Sequence, residues 1–283
     1  MSRNRDRVGG TQNKNTQTPA PLTQNAGEPF SFVVPTEFVD LPSRGKYYPE
    51  SHPLHGQDTI EIKHMTAKEE DILTSRSLLK NGTALDRVIQ NIIVDKRVNA
   101  DSMLVGDRNA VVIAARISGY GPVYETKVGC PACNETQEYS FELNDAEVYE
   151  GDGLDTLEIT DNGNGTFDVE LPRTMVTTTF RLLTGHDEKR LIAKFQKKTK
   201  KGVENNVTQQ LSNMIVAVNG DNTPQATQYL IDNMPSMDSR HLRLAYRLAA
   251  PNVDLTQNFE CSECGHEQDM EVPLSADFFW PDR

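Results

Sequence analysis

All four cysteines of this 283-residue chain fall into two C-x-x-C pairs, Cys130-Pro-Ala-Cys133 and Cys261-Ser-Glu-Cys264. The surroundings repeat as well. Counting from the second cysteine of each pair, Gln137 and Gln268 lie at +4, Phe141 and Val272 at +8, and Leu143 and Leu274 at +10, while Val128 and Phe259 precede the first cysteine by two. These are two copies of one unit, a knuckle followed by a strand. Two such knuckles supply four thiolates in a tetrahedron, with backbone amides turned toward the sulfurs, the arrangement of a structural zinc site. A four-cysteine zinc ribbon usually spaces its pairs by about 15–20 residues. Here 127 residues separate Cys133 from Cys261, so the ribbon is split and the intervening chain must bring its own ends back together.

A four-thiolate site leaves no open position for substrate, which favours one structural zinc held by Cys130, Cys133, Cys261 and Cys264. The rival is a thiol oxidoreductase using Cys130 and Cys133. That chemistry needs a helix N-terminus to lower a thiol pKa, whereas 134–143 reads as a strand. Cys261 to His266 misses the covalent haem motif by one residue, leaving His266 a bystander.

The pattern along the chain is α+β, with helices on small β-sheets. Residues 1–27 are rich in Asn, Thr, Gln, Gly and Pro, with Val8 and Leu22 the only large aliphatics after Met1, and read as a disordered basic arm. An α/β region carrying the first knuckle follows over 28–150. Phe30 to Val34 and Thr59 to Met65 read as strands. Thr66 and Glu69 form a capping box for a helix running to about Lys80, and Leu85 to Ile93 has the spacing of a second helix. A third starts from an Asp107 cap and ends at Gly119. A β-hairpin insert occupies 151–185, turning at Asp161 to Gly165, and 186–250 reads as helical, with Val207, Leu211, Met214, Ile215 and Val218 on one helix face. Thr223-Pro224 and Ser236 open the last two helices. The second knuckle and an aromatic tail fill 251–283.

Composition excludes several functions. The chain carries −12 at pH 7; the arm accounts for +3, which leaves −15 on the rest. A body this acidic repels nucleic acid and anionic membranes. The best apolar run, Ala110 to Ala115, meets Arg116 and is far short of a membrane span. No apolar leader follows the N-terminal arginines, so we expect a non-secreted chain with reduced thiols. Phosphate-loop, dinucleotide, zinc-protease and hydrolase motifs are absent, which argues against an enzyme or a small-molecule substrate. His52 and His55 lack a third ligand, and the lysines at 194, 197, 198, 200 and 201 complement a helix C-terminus. Phe278, Phe279 and Trp280 either fold back on the core or anchor a partner.

Several separated motifs together resemble a known family. The loop Leu41-Pro-Ser-Arg-Gly-Lys-Tyr-Tyr48, the segment Met65 to Thr74, the stretch Leu104-Val-Gly-Asp-Arg-Asn109 leading to Ile117-Ser-Gly-Tyr-Gly121, and the two knuckles closing on Phe278-Phe-Trp-Pro281 are similar to the baseplate-hub subunit family of contractile-tailed bacteriophages. The resemblance runs from Phe30 onward. It implies a non-enzymatic virion protein of the tail baseplate, made in the host cytoplasm, whose partners are other baseplate or tail proteins. A transient tail-assembly chaperone for hub or tape-measure proteins is the alternative it leaves open.

Overall fold

The computed structural model describes residues 33–198, 206–272 and 276–279. The arm over 1–27 lies outside them, as do residues 30–32 of the strand expected at Phe30 to Val34; residues 33 and 34 are not in a strand. The chain divides into Met1–Val34 and Pro35–Arg283, and everything below concerns the second unit.

Strands β1 (Thr36–Asp40) and β2 (Thr59–Lys63) pair antiparallel. The turns between them are held from above by a buried carboxylate. Asp107 accepts the Ser43 amide at 2.9 Å, the Ser43 hydroxyl at 2.6 Å and the Tyr48 hydroxyl at 2.7 Å, and Tyr48 in turn accepts the Leu104 amide. The expected helix from Thr66 does begin with a capping box, in which the Thr66 hydroxyl accepts from Lys68 and the Glu69 carboxylate from Thr66. It breaks, however, at Ser75, whose extended backbone ends α1 (Ala67–Thr74) and starts α2 (Arg76–Asn81). Helix α3 (Ala84–Ile92) buries Val88, Ile89 and Ile92, as its spacing requires.

Helix α4 (Val105–Tyr120) is the axis of this unit. Asp107 is not its cap. The helix starts two residues earlier, with Leu104 as N-cap, and Asp107 spends its side chain on the β1–β2 loop. It also runs past Gly119 to Gly121, which ends it at φ 84°. Arg108, buried in α4, pairs with Asp86 of α3 and with Glu188 of α5 (Gly185–Lys198) at 2.6 Å, while Lys189 bridges Asp86 and Asp101.

Strands β3 (Val123–Gly129) and β4 (Thr136–Glu142) make the first ribbon, and β5 (Glu147–Tyr149) follows. The next segment forms a four-stranded antiparallel sheet, β6 (Thr160–Asp161), β7 (Thr166–Glu170), β8 (Thr177–Arg181) and β9, in that order. Here the helical reading fails for Ile215 and Val218. Helix α6 (Asn206–Met214) stops and Ile215–Val218 becomes β9, because Ile-Val-Ala-Val can add to the free edge of β8 and bury Ile215 there. That strand, from 186–250, thus belongs to the sheet of the hairpin insert. Helices α7 (Pro224–Asn233) and α8 (Ser236–Ala249) follow, α7 capped by Thr223 with Pro224 in its first turn.

The insertion closes on itself through β10 (Asn252–Asp254), which pairs antiparallel with β5, Asp254 opposite Glu147. Strands β11 (Thr256–Glu260) and β12 (Glu267–Glu271) then form the second ribbon. The β5–β10 pair is the clasp that a split ribbon demands.

Candidate metal centre

Each knuckle is built by the same two backbone hydrogen bonds. In the first, the Cys130 amide donates to the Glu135 carbonyl at 2.8 Å and the Asn134 amide to the Cys130 carbonyl at 2.8 Å; in the second, the Cys261 amide donates to His266 and the Gly265 amide to Cys261, both at 2.9 Å. Both turns need a left-handed residue just after the second cysteine. Asn134 and Gly265 fill that place at φ 59° and 66°, and glycine and asparagine are the residues that tolerate it.

The two ribbons meet through side chains. The Tyr139 hydroxyl donates to the Asn258 carbonyl at 2.9 Å, Gln137 bridges the Glu260 carbonyl and the Ser262 amide, and Gln257 exchanges hydrogen bonds with the Glu142 backbone. The apolar positions of the repeat form the layer beneath: Val128, Phe141 and Phe259 are buried, and the Tyr139 ring lies 5.0 Å from Phe141 and 5.1 Å from Phe259.

This packing brings all four sulfurs within 4.8 Å of one another. Cys130 Sγ stands 3.7 Å from Cys264 Sγ, and Cys133 Sγ 3.7 Å from Cys261 Sγ. All four cysteines are free thiols. Sulfurs bound at about 2.3 Å around a tetrahedral ion stand about 3.8 Å apart, so the closest pairs already have the edge length of a zinc tetrathiolate, and the donor set suits that metal. Amides aimed at the sulfurs complete the picture. The Cys133 and Ala132 amides lower the Cys130 thiol to about 6. The Glu135 amide also lowers Cys133, but burial and the hydrogen bonds of the neighbouring sulfurs outweigh it and push that thiol up to about 12. The His266 amide points at Cys264, whose thiol its neighbours nonetheless raise. His266 contributes backbone groups only.

A protein-family model described as T4 bacteriophage base plate protein matches residues 34–280. The chain belongs to this family. Comparison with curated proteins and with solved structures finds no match. Membership makes this a phage baseplate protein, and the family points to a structural role in the tail among other baseplate proteins. No helix among the described residues is long and apolar enough to cross a membrane.

The remaining candidates have other work in this baseplate protein. The His52 ring stacks on Tyr48 at 4.4 Å and joins the Ser102 hydroxyl at 2.8 Å, while the His55 ring joins the Tyr48 carbonyl at 2.7 Å; both rings brace the loop. Phe278 and Phe279 do not form an exposed partner anchor. They are buried, Phe278 against Tyr124 at 5.1 Å, because three adjacent aromatics carry more apolar surface than a tail can leave in water. Trp280 lies outside the described residues, as do residues 200 and 201 and the side chains at 194, 197 and 198.

One residue that holds the site together escaped the sequence reading. Arg116, which there served only to interrupt an apolar run, is fully buried. It donates to the carbonyls of Phe278 at 2.6 Å, Gly121 at 2.6 Å and Val123 at 3.1 Å. It pins the C-terminal aromatics and the first strand of the first ribbon to α4. The only sequence signal was a charge flanked on one side by apolar residues.

Proposed function

We propose that this protein is a non-enzymatic hub subunit of the tail baseplate, that it works by binding other baseplate proteins, and that one structural zinc on Cys130, Cys133, Cys261 and Cys264 ties its two ribbons together. The match of a baseplate family model to residues 34–280 carries the reading. The sulfur geometry supports the zinc, since four thiols within 4.8 Å of one another, two pairs of them at 3.7 Å, with backbone amides aimed at the sulfurs, can fill a closed coordination shell. Such a shell has no position for water or substrate, so the metal's contribution is to the fold: with β5–β10 it closes the insertion.

Two measurements test this. Mass spectrometry of purified phage particles should find the chain in the mature tail; a chain abundant in infected cells and missing from particles would instead identify a transient assembly chaperone. Elemental analysis of the reduced protein should give about one zinc per chain, and chelation should lower the melting temperature. Metal-free protein with an unchanged melt would overturn the zinc.

A further inference from the structure

On a body of such negative charge, one helix face runs against the trend. Helix α8 buries Asp238, Leu242, Ala245 and Ala249. Its opposite side carries Arg240, Arg243 and Arg247, spaced by three and four residues, with Arg240 and Arg247 exposed and Arg243 half-buried. Among the described residues none of the three forms an ion pair; Arg243 places its Nε on the Ser239 carbonyl. The β7–β8 loop is held at the N-terminal end of α8. Asp238 accepts from the Arg173 amide, the Thr174 amide and the Thr174 hydroxyl, which sets the Arg173 side chain on the sulfur of exposed Met237 at 3.2 Å. The same loop presents Met175, 66% exposed and held at φ 55°. A methionine kept in a left-handed conformation and turned to solvent is the kind of local strain that gathers at interaction sites, and exposed methionines are adaptable contact residues.

The same chain holds a face of opposite sign. The outward side of the second ribbon carries Glu260, Glu267, Asp269 and Glu271, all exposed and none paired with a cation among the described residues, with Glu260 directly opposite Glu267. Like charges opposed across strands destabilise a ribbon. The first ribbon shows that the knuckle does not require this. In the corresponding places it has Gly129 opposite Thr136 and Lys127 opposite Glu138, where the second has Glu260 opposite Glu267 and Asn258 opposite Asp269. Same-face residues on a strand repeat at about 6.7 Å and arginines three or four apart on a helix at about 5–6 Å, so the two rows can mesh.

We infer that the α8 arginine face, with Arg173, Met175 and Met237 at its end, is a docking site for the carboxylate face of the β11–β12 ribbon of a second copy of this chain. The contact is head to tail, so each copy offers one face and fills the other, and copies join into a ring or an open row. The inference rests on the ribbons being formed, and not on which metal holds them or on the hub assignment.

The experiment is sedimentation velocity on the full-length protein, with its metal content measured alongside. Wild type should self-associate as concentration rises toward about 100 µM at about 50 mM salt, and the association should weaken about tenfold or more at about 500 mM salt. Two variants, R240Q/R243Q/R247Q and E260Q/E267Q/D269N/E271Q, should each retain the wild-type melt and metal content and remain monomeric. Mixed in equal amounts, they should form 1:1 dimers that do not grow, since only one complementary pair of faces survives. A wild type that stays monomeric throughout, or folded variants that stay apart when mixed, would overturn the proposal. Lost zinc with retained self-association would count against the metal alone.

Discussion

Replacing Arg116 with methionine keeps most of the side chain's volume and removes its donors. Three charge-assisted hydrogen bonds go, at 2.6, 2.6 and 3.1 Å, each worth about 1.5–3 kcal/mol net. Two effects reduce that sum. The Gly121 and Val123 carbonyls are only partly buried and can recover water, and the desolvation cost of a buried guanidinium disappears with it. Burial itself lowers the pKa of Arg116, a sign of that cost. We therefore expect a net loss of about 2–4 kcal/mol, or about 5–12 °C in the thermal midpoint of a chain this size. The loss should also be local. The Phe278 carbonyl is the buried acceptor, and the Phe278 ring lies 5.9 Å from the guanidinium carbon, so brief chymotrypsin treatment should cut after Phe278 and Phe279 in the variant and spare the wild type. Arg116→Lys should behave nearly as badly, because one ammonium cannot span three carbonyls on two separate segments. A methionine variant that melts within about 1 °C of wild type with a protected tail would refute the argument.

Other perturbations probe the joints of the fold. A Cβ added at Gly106 would stand 1.9 Å from the Pro251 carbonyl oxygen and 2.8 Å from the Asn252 Cα; both are backbone, so Gly106→Ala should cost about 1–3 kcal/mol or more by forcing α4 from β10, read as a lowered urea midpoint. Burial alone would raise the carboxyl of Asp187, but Arg181, at 2.7 Å, and the Thr184 amide hold it below its ordinary 3.8. A depressed acid stabilises the fold above its unfolded value, and that stability is lost as pH falls through the folded value. Asp187→Asn should thus cost about 1–3 kcal/mol near neutral pH, and the gap in melting temperature from wild type should close below pH 3.8.

Much of the candidate site was legible in the chain because it is a local motif repeated. The C-x-x-C spacing and the matched apolar positions belong to one short unit, set by neighbours close along the chain. Helix ends with local chemistry were equally readable, as at Thr66 with Glu69 and at Thr223 with Pro224. Asp107 was misread because a carboxylate near a helix start serves equally well as a cap or as an acceptor for another segment, and Ser43, 64 residues away, decided between them. Ile215 to Val218 was misread for a related reason. Its four apolar residues suit helix or strand, and the open edge of β8 settled it.

The sequence by itself determined that two half-sites of thiols exist, that they are copies, and that the chain between them must return to its start. Only the tertiary structure decided how it returns, through β5 with β10, through side chains crossing between the ribbons, and through Arg116 reaching 162 residues along the chain to Phe278. Short-range patterns are set by covalent geometry and hydrogen bonds within a few residues. Which buried donor meets which distant acceptor depends on the whole chain being packed, and no local spacing encodes it.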